Sequence, residues 1–555
     1  MDYADLFYAL LVYWFIVLIL ERHGLLERYG VSLLSPFVPI LMLRTTRGQG
    51  LLTFLARPKI AWRLFANIGI LLMLAGMLVM LLLLLLSDYL MLNSIQAGTT
   101  PPPGKFNEPQ NIFLIPGIND FIPLTWGIIG LAVTLVVHEF AHAILCKVEG
   151  VTVKSMGILY AIVPIGGFAE PDEEQLGVKE PEAGTAVKTV SRSGRMRILS
   201  AGVTANFATA LVAFALFFML LGSISPIGDV MVTEVLPGSP AEAAGVHEGM
   251  LLTQADGQVI NSAHDFFVYM NSTRPSNVTL SLRDNRVRKE VTVQTGKGVD
   301  FKGVNVHDIV PGSPAEAAGV KKGSILVRIN DTQISNITYF MEFMNSTVPG
   351  QTIQAYFIET SPGAEPVKYN ITLAVYSGGT KGFIGVKYLS EEGVSSAIGI
   401  RIGEYPAKGY LHILKQLPGM LNEPGGWFIL FALPMLSFVG QGFPGFGETL
   451  SQFYEPVGWA APLGESTFWL ANALLWIGWL NFYVGLFNSL PAVPMDGGHV
   501  FRDVISSILS RFFGNGERVT RISNRIVVLL ALIIFLSFIF LFIAPYIPRM
   551  FGSGS

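Results

Sequence analysis

The sequence predicts a polytopic α-helical membrane protein with a soluble α+β region inserted into it. Three observations carry that expectation. Hydrophobic residues make up 51 % of the 555-residue chain and charged residues only 14 %, with a mean hydropathy of +0.51; a soluble chain of this size carries more charge. Apolar runs long enough to cross a bilayer recur in both the first and last thirds. Between 225 and 390 those runs vanish, charge rises and short alternating segments take over. The lipid bilayer is therefore a partner. The net charge of −3 offers no footprint for nucleic acid, so no such partner is expected. One cysteine, Cys146, rules out an intrachain disulfide.

The membrane part begins with the apolar run 7–20. The next apolar stretch, 31–43, is interrupted by Pro36 and Pro39 and reads as re-entrant or interfacial. A basic loop follows with Arg44, Arg47, Arg57, Lys59 and Arg63, then a strong span at 64–86. The loop 88–123 is rich in Pro, Asn and Gly.

The span 124–147 reads LTWGIIGLAVTLVVHEFAHAILCK. His138 and His142 stand four apart, so on a helix they share one face and two imidazoles can grip one metal ion. Glu139 sits beside them, within reach of a water on that metal. This is HExxH, two zinc ligands and a general base. Its place among Val, Leu and Ile is unusual, because ionisable groups in a membrane are costly. Zinc needs a third ligand and an open position. Cys146, one turn beyond His142, reads as a small buried residue rather than a thiolate ligand.

Basic residues Lys147, Lys154, Lys188, Arg192, Arg195 and Arg197 precede the span 198–221. By the positive-inside rule these and 44–63 are cytoplasmic. The span 124–147 then runs inward, with HEFAH in its cytoplasmic half. In the soluble region EVLPGSPAEAAGVHEGMLL at 234–252 returns as DIVPGSPAEAAGVKKGSIL at 308–326, offset by 74 residues, which suits two small domains. Six Asn-x-Ser/Thr sequons, at Asn271, Asn277, Asn330, Asn336, Asn345 and Asn370, all fall in this region and point to an extracytoplasmic face.

Residues 391–466 are Gly/Pro-rich, with an apolar piece at 427–439 that reads as a re-entrant or gate element. A long aromatic span, 467–490, leads inward to LFNSLPAVPMDGGHVFRD at 486–503. Arginines 502, 511, 518, 521 and 525 mark the cytoplasm again, and 526–544 returns outward. Asp496 thus reaches the depth of HEFAH and is a candidate third ligand. His499 competes with it, since imidazole also suits zinc.

Family resemblance bears on that choice. The Pro-Gly-Ser-Pro turn, Ala-rich helix and Gly stop resemble the PDZ domain, twice over. A transmembrane HExxH, two PDZ domains and a later N-x-x-P-x-x-P-x-D-G segment together resemble the site-2 protease family of intramembrane metalloproteases. The resemblance covers about 124–503 and implies a Zn²⁺ cofactor held by His138, His142 and Asp496, with Glu139 catalytic. It assigns Asn488 to the substrate carbonyl and the G-x-x-x-N pair Gly202–Asn206 to substrate contact, where an interhelical hydrogen bond is the alternative for Asn206. It maps a membrane-associated β-hairpin onto 156–171, where Gly166 and Gly167 admit a substrate strand. The implied activity is regulated intramembrane proteolysis of membrane-protein substrates, with a peptide or substrate ectodomain at the PDZ domains. A catalytically inactive PDZ membrane scaffold and a zinc transporter are the competing readings. The expected organisation is 1–123 N-terminal membrane segments, 124–224 first catalytic part, 225–305 and 306–390 PDZ domains, 391–466 linker, and 467–548 second catalytic part.

Overall fold

The computed structural model describes residues 3–547 except 27, 29, 36–37, 47, 112–115, 162, 178–187, 236–238, 274, 285, 296–302, 323, 336, 359–364, 376–380, 389–393, 396–397, 437–442, 444 and 515. The chain forms two compact units. One holds Met1–Met219, Trp427–Gly445 and Trp469–Ser555; the other holds Leu220–Gly426 and Phe446–Phe468. Among the described residues five helices are long and apolar enough to cross a membrane. The protein is a multi-pass membrane protein.

The first unit starts with an apolar helix α1 (Tyr3–Arg22), strands β1 (Val31–Ser35) and β2 (Val38–Thr45), and a short helix α2 (Gln49–Leu55). Span α3 covers Lys59–Gln96 and span α4 covers Leu124–Glu149. A hairpin of β3 (Val153–Ala161) and β4 (Val163–Pro171) follows, then the one-turn helix α5 (Glu173–Leu176) and span α6 (Arg192–Leu221). The stretch expected as re-entrant or interfacial forms the β1–β2 hairpin. Strand β2 pairs antiparallel with β3, from Leu41 opposite Tyr160 to Thr45 opposite Met156, giving the sheet order β1-β2-β3-β4. Its run of Val, Leu, Ile and Met favours strand, and pairing satisfies backbone groups that a non-helical segment cannot leave open in lipid. The partner strand is more than a hundred residues away, so no local pattern announced it. Strand β4 keeps one edge unpaired among the described residues and packs on α4.

Near the basic end of these spans Glu149 accepts from Arg63 Nε at 3.0 Å and Arg197 Nε at 2.9 Å, tying α3, α4 and α6. Ser200 donates to the Ala66 carbonyl. Cys146 is buried in the surrounding apolar cluster, as its small apolar reading required.

The second unit opens with β5 (Ile224–Pro226). Its first module runs β6 (Val230–Val235), α7 (Pro240–Ala243), β7 (Leu251–Ala255), β8 (Gln258–Val259), α8 (Ala263–Thr273), β9 (Asn277–Asp284) and β10 (Val287–Gln294). Its second repeats the series as β11 (Val304–Ile309), α9 (Pro314–Ala317), β12 (Ile325–Ile329), β13 (Thr332–Gln333), α10 (Ile337–Asn345), β14 (Thr352–Ile358) and β15 (Val367–Thr372). The repeated motif has a local cause. Ser239 and Ser313 cap α7 and α9, each accepting from the backbone N–H of the Glu three residues on, with Pro at the first helical position. Each module buries its own apolar core, around Phe266 in the first and Phe357 in the second. These are the two PDZ domains.

After β15 come β16 (Ala374–Val375), β17 (Gly382–Phe383), β18 (Val386–Tyr388), β19 (Val394–Ser395) and β20 (Ile400–Glu404). Here the expected organisation needs correcting. The second sheet runs β15-β14-β12-β11-β18, and the first runs β10-β9-β7-β6-β20-β19. Strand β20, expected in the linker, pairs with β6 and completes the first module. The second module is therefore inserted within the first. An unpaired edge at β6 is what draws the later strand in, and short apolar runs do not declare their partner.

Helix α11 (Ala407–Met420) ends this part. Helix α12 (Pro424–Leu436) has 13 residues, about 20 Å long and too short to cross a hydrocarbon core of about 30 Å. That fits the expected non-spanning element, whose continuation lies outside the described residues. Helix α13 (Glu448–Ser451) and β21 (Tyr454–Pro456) follow, β21 pairing with β5. The first unit, which also takes in Trp427–Gly445, continues with span α14 (Ser466–Asn488), helix α15 (Asp496–Phe513) and span α16 (Glu517–Ile543).

Candidate active site

Helices α4 and α15 bring three ligand atoms together. His138 and His142 leave the same face of α4, and their Nε2 atoms are 3.1 Å apart. Asp496 Oδ2 lies 3.2 Å from His138 Nε2 and 3.3 Å from His142 Nε2. In a tetrahedral zinc site with bonds of about 2.0–2.1 Å, ligand atoms stand about 3.3 Å apart. The three side chains thus fit one metal ion and leave the fourth position to water or substrate. His499 is not in this group, which among the described residues consists of His138, His142 and Asp496.

The position of Asp496 follows from its local sequence. It is the first residue of α15, where a carboxylate suits the positive end of the helix. The preceding loop folds back tightly on that turn. A Cβ at position 497 would sit 2.3 Å from the Ser489 carbonyl oxygen, and one at 498 would sit 2.6 Å from the Ala492 carbonyl carbon. Only glycine permits this approach at both positions, so the DGG segment delivers the carboxylate rather than merely turning the chain.

Each imidazole is oriented from behind. His142 Nδ1 lies 2.7 Å from the Ile198 carbonyl oxygen, to which it donates; its Nε2 lone pair then faces the site. Asn206 is fully buried, its side-chain amide 3.1 Å from His138 Nδ1. A half-turn of the amide places Oδ1 there, giving that otherwise partnerless buried oxygen the Nδ1–H to accept and freeing Nε2 as a ligand. Asn206 thus makes an interhelical hydrogen bond to a candidate ligand, the alternative named for it beside substrate contact.

Gly202 faces both rings. A Cβ there would come 2.4 Å from His142 Nε2 and 2.6 Å from His138 Cε1. Gly202→Ala should displace one or both imidazoles and weaken metal binding by the roughly 10–100-fold seen when a ligand's support is lost. Metal competition against a chelator measures this; unchanged affinity would contradict the packing.

Glu139 is half-buried on the β4 side of α4. A Cβ at Gly167 would lie 2.7 Å from Glu139 Cγ, so β4 passes directly over it. Gly166 is the next residue back along β4, opposite Leu159 on β3. Asn488 ends α14, half-buried, at the start of the loop that leads to Asp496. Sequence reasoning missed the Ile198 carbonyl, which as backbone leaves no mark in side-chain chemistry. It also missed the pairing of Arg195, which it read only as a topology marker, with Asp503.

An HExxH helix in the membrane, closed by a carboxylate from a second helix, defines a polytopic membrane protein with a metallopeptidase-type centre. The chain belongs to Peptidase family M50, whose profile matches residues 126–534. Protease RseP of Yersinia pestis is 24 % identical over 423 residues, 67 % of this chain and 88 % of that protein. An uncharacterized protein of Methanocaldococcus jannaschii is 29 % identical over 222 residues, 38 % of this chain; the match spans about half (54 %) of that relative's length. The solved PDZ domain of an SdrC-like protein from Listeria monocytogenes is 22 % identical, aligned to 17 % of this chain and 93 % of its own, with a TM-score of 0.15.

Proposed function

We propose that the protein is an intramembrane zinc metalloprotease that hydrolyses peptide bonds within or near the transmembrane helices of membrane-anchored substrates. The convergence of two imidazole nitrogens and one carboxylate oxygen within 3.1–3.3 Å, beside Glu139 on a membrane span, supports the reading above all. Two imidazoles and a carboxylate suit zinc. When bound, zinc would lower the pKa of water towards about 7 and polarise the scissile carbonyl. His138, His142 and Asp496 would hold it.

Glu139 takes the proton of the attacking water and passes it to the leaving amine. The Asn488 amide donates to the developing oxyanion. A substrate helix must unwind before its carbonyls are exposed. Pairing with the open edge of β4, beside Gly166 and Gly167, would offset the hydrogen bonds lost. The β1–β2 hairpin occupies the opposite side of the sheet, which leaves β4 as the strand next to Glu139. The basic loops and the sequons support a site towards the cytoplasm and PDZ domains outside. The PDZ pair would bind a peptide end or screen substrate ectodomains by size.

The purified full chain in detergent should cleave a single-span test substrate, and a zinc chelator should stop it. Product masses should place the cut inside or at the edge of the span. Cleavage that persists after complete metal removal, or metal flux without cleavage in proteoliposomes, would sink this reading.

A further inference from the structure

We propose that Arg195 is a positioning residue that locks the helix bearing Asp496 to the strand that receives substrate; this rests on the metal-centre reading above. Arg195 lies in the first turn of α6. Its Nε donates to Asp503 Oδ2 at 2.7 Å and its Nη2 to Asp503 Oδ1 at 2.6 Å. These are two parallel charge-assisted bonds, a geometry fixed by the planar guanidinium. Asp503 stands on α15, two turns beyond Asp496. The pair is deeply buried, with side chains 15 % and 2 % exposed.

The same guanidinium reaches a third element. Arg195 Nη1 donates to the Gly177 carbonyl at 3.1 Å and the Leu176 carbonyl at 3.4 Å. These carbonyls close α5, and Asp172, which caps α5, directly follows the end of β4. Meanwhile α6 itself carries the Ile198 carbonyl behind His142, Gly202 against both rings and Asn206 behind His138. One side chain thus fixes three parts of the site to a common frame: the third ligand, the backing of the first two, and the root of the substrate strand.

A buried ion pair is a poor source of net stability, because desolvation cancels much of the attraction. It is a good source of geometry. The Glu149 network offers an internal comparison. It ties α3, α4 and α6 at the same end of the spans, yet its bonds reach neither α15 nor the hairpin.

The test uses the full chain in lipid nanodiscs. Zinc affinity is read by competition with a chromophoric chelator without substrate, KM and kcat with a single-span substrate at saturating zinc, and stability by thermal unfolding. Arg195→Lys should weaken zinc binding at least tenfold and raise KM. Asp503→Asn should weaken zinc binding similarly but leave KM unchanged, because Arg195 keeps its bonds to the Leu176 and Gly177 carbonyls. Glu149→Gln should alter neither. Arg195→Met combined with Asp503→Leu removes both charges of the bidentate pair, so neither is left buried without the other; it should keep the unfolding midpoint and still lose zinc affinity. The proposal is overturned if that double variant binds zinc as wild type does, or if Glu149→Gln weakens zinc equally. A wild-type chain that binds no zinc would overturn the metal-centre reading itself, before any variant is compared.

Discussion

Glu139→Gln should abolish peptide-bond cleavage while leaving one metal ion bound per chain. The substitution keeps the side chain's size, so the close packing of β4 over Glu139 need not change. It removes only the ability to accept a proton. None of the three atoms that fit the metal belongs to Glu139, so metal content should hold. A positioned general base contributes about 10²–10⁴-fold, roughly 3–5 kcal/mol of barrier. Cleavage of a single-span substrate should fall by that factor, with zinc per chain unchanged by elemental analysis. Undiminished cleavage would falsify the base assignment, and lost zinc would make Glu139 part of the cage.

Asp496→Ala should cost the metal itself. It removes the one oxygen that lies 3.2 and 3.3 Å from the two Nε2 atoms. Two imidazoles 3.1 Å apart then remain, short of the three protein ligands a catalytic zinc site uses. Affinity should fall beyond the roughly 10–100-fold typical of a lost supporting partner, and cleavage should vanish with it. The fold should largely survive. Alanine is a good helix former, and a carboxylate at a helix start stabilises by only about 0.3–1 kcal/mol. His499→Ala supplies the contrast and should leave zinc affinity near wild type. If the two variants exchange these outcomes, the third ligand is the histidine.

Some of this was open to reading from the chain alone, and for clear reasons. Ligands four apart on one helix are local, so HEFAH declares a shared face before any folding is known. The 74-residue repeat is visible because each copy solves the same capping problem with Ser, Pro and Glu. Spans announce themselves through apolar length and flanking arginines. The misses share the opposite property. The strand pairing of 31–43, expected only as re-entrant or interfacial, was hidden because its partner strand β3 begins more than a hundred residues later. Strand β20 looked like linker because the sheet it completes was interrupted by an entire second domain.

Composition, spacing and the repeat by themselves determined a membrane protein with two copies of one small soluble module and two histidines on one helix face; the resemblance supplied the PDZ reading. Chemistry left Asp496 and His499 both open as the third ligand, and only the tertiary structure placed one carboxylate oxygen 3.2 and 3.3 Å from the two ring nitrogens, the spacing of ligands around one metal. It alone assigned Asn206 to the back of His138 and joined Arg195 to Asp503. The reason is physical: distances along a helix are set by its pitch and can be counted, whereas distances between helices are set by packing. Gly202 sets that packing between α6 and α4 here, and its close contacts with the two rings exist only once the helices have met.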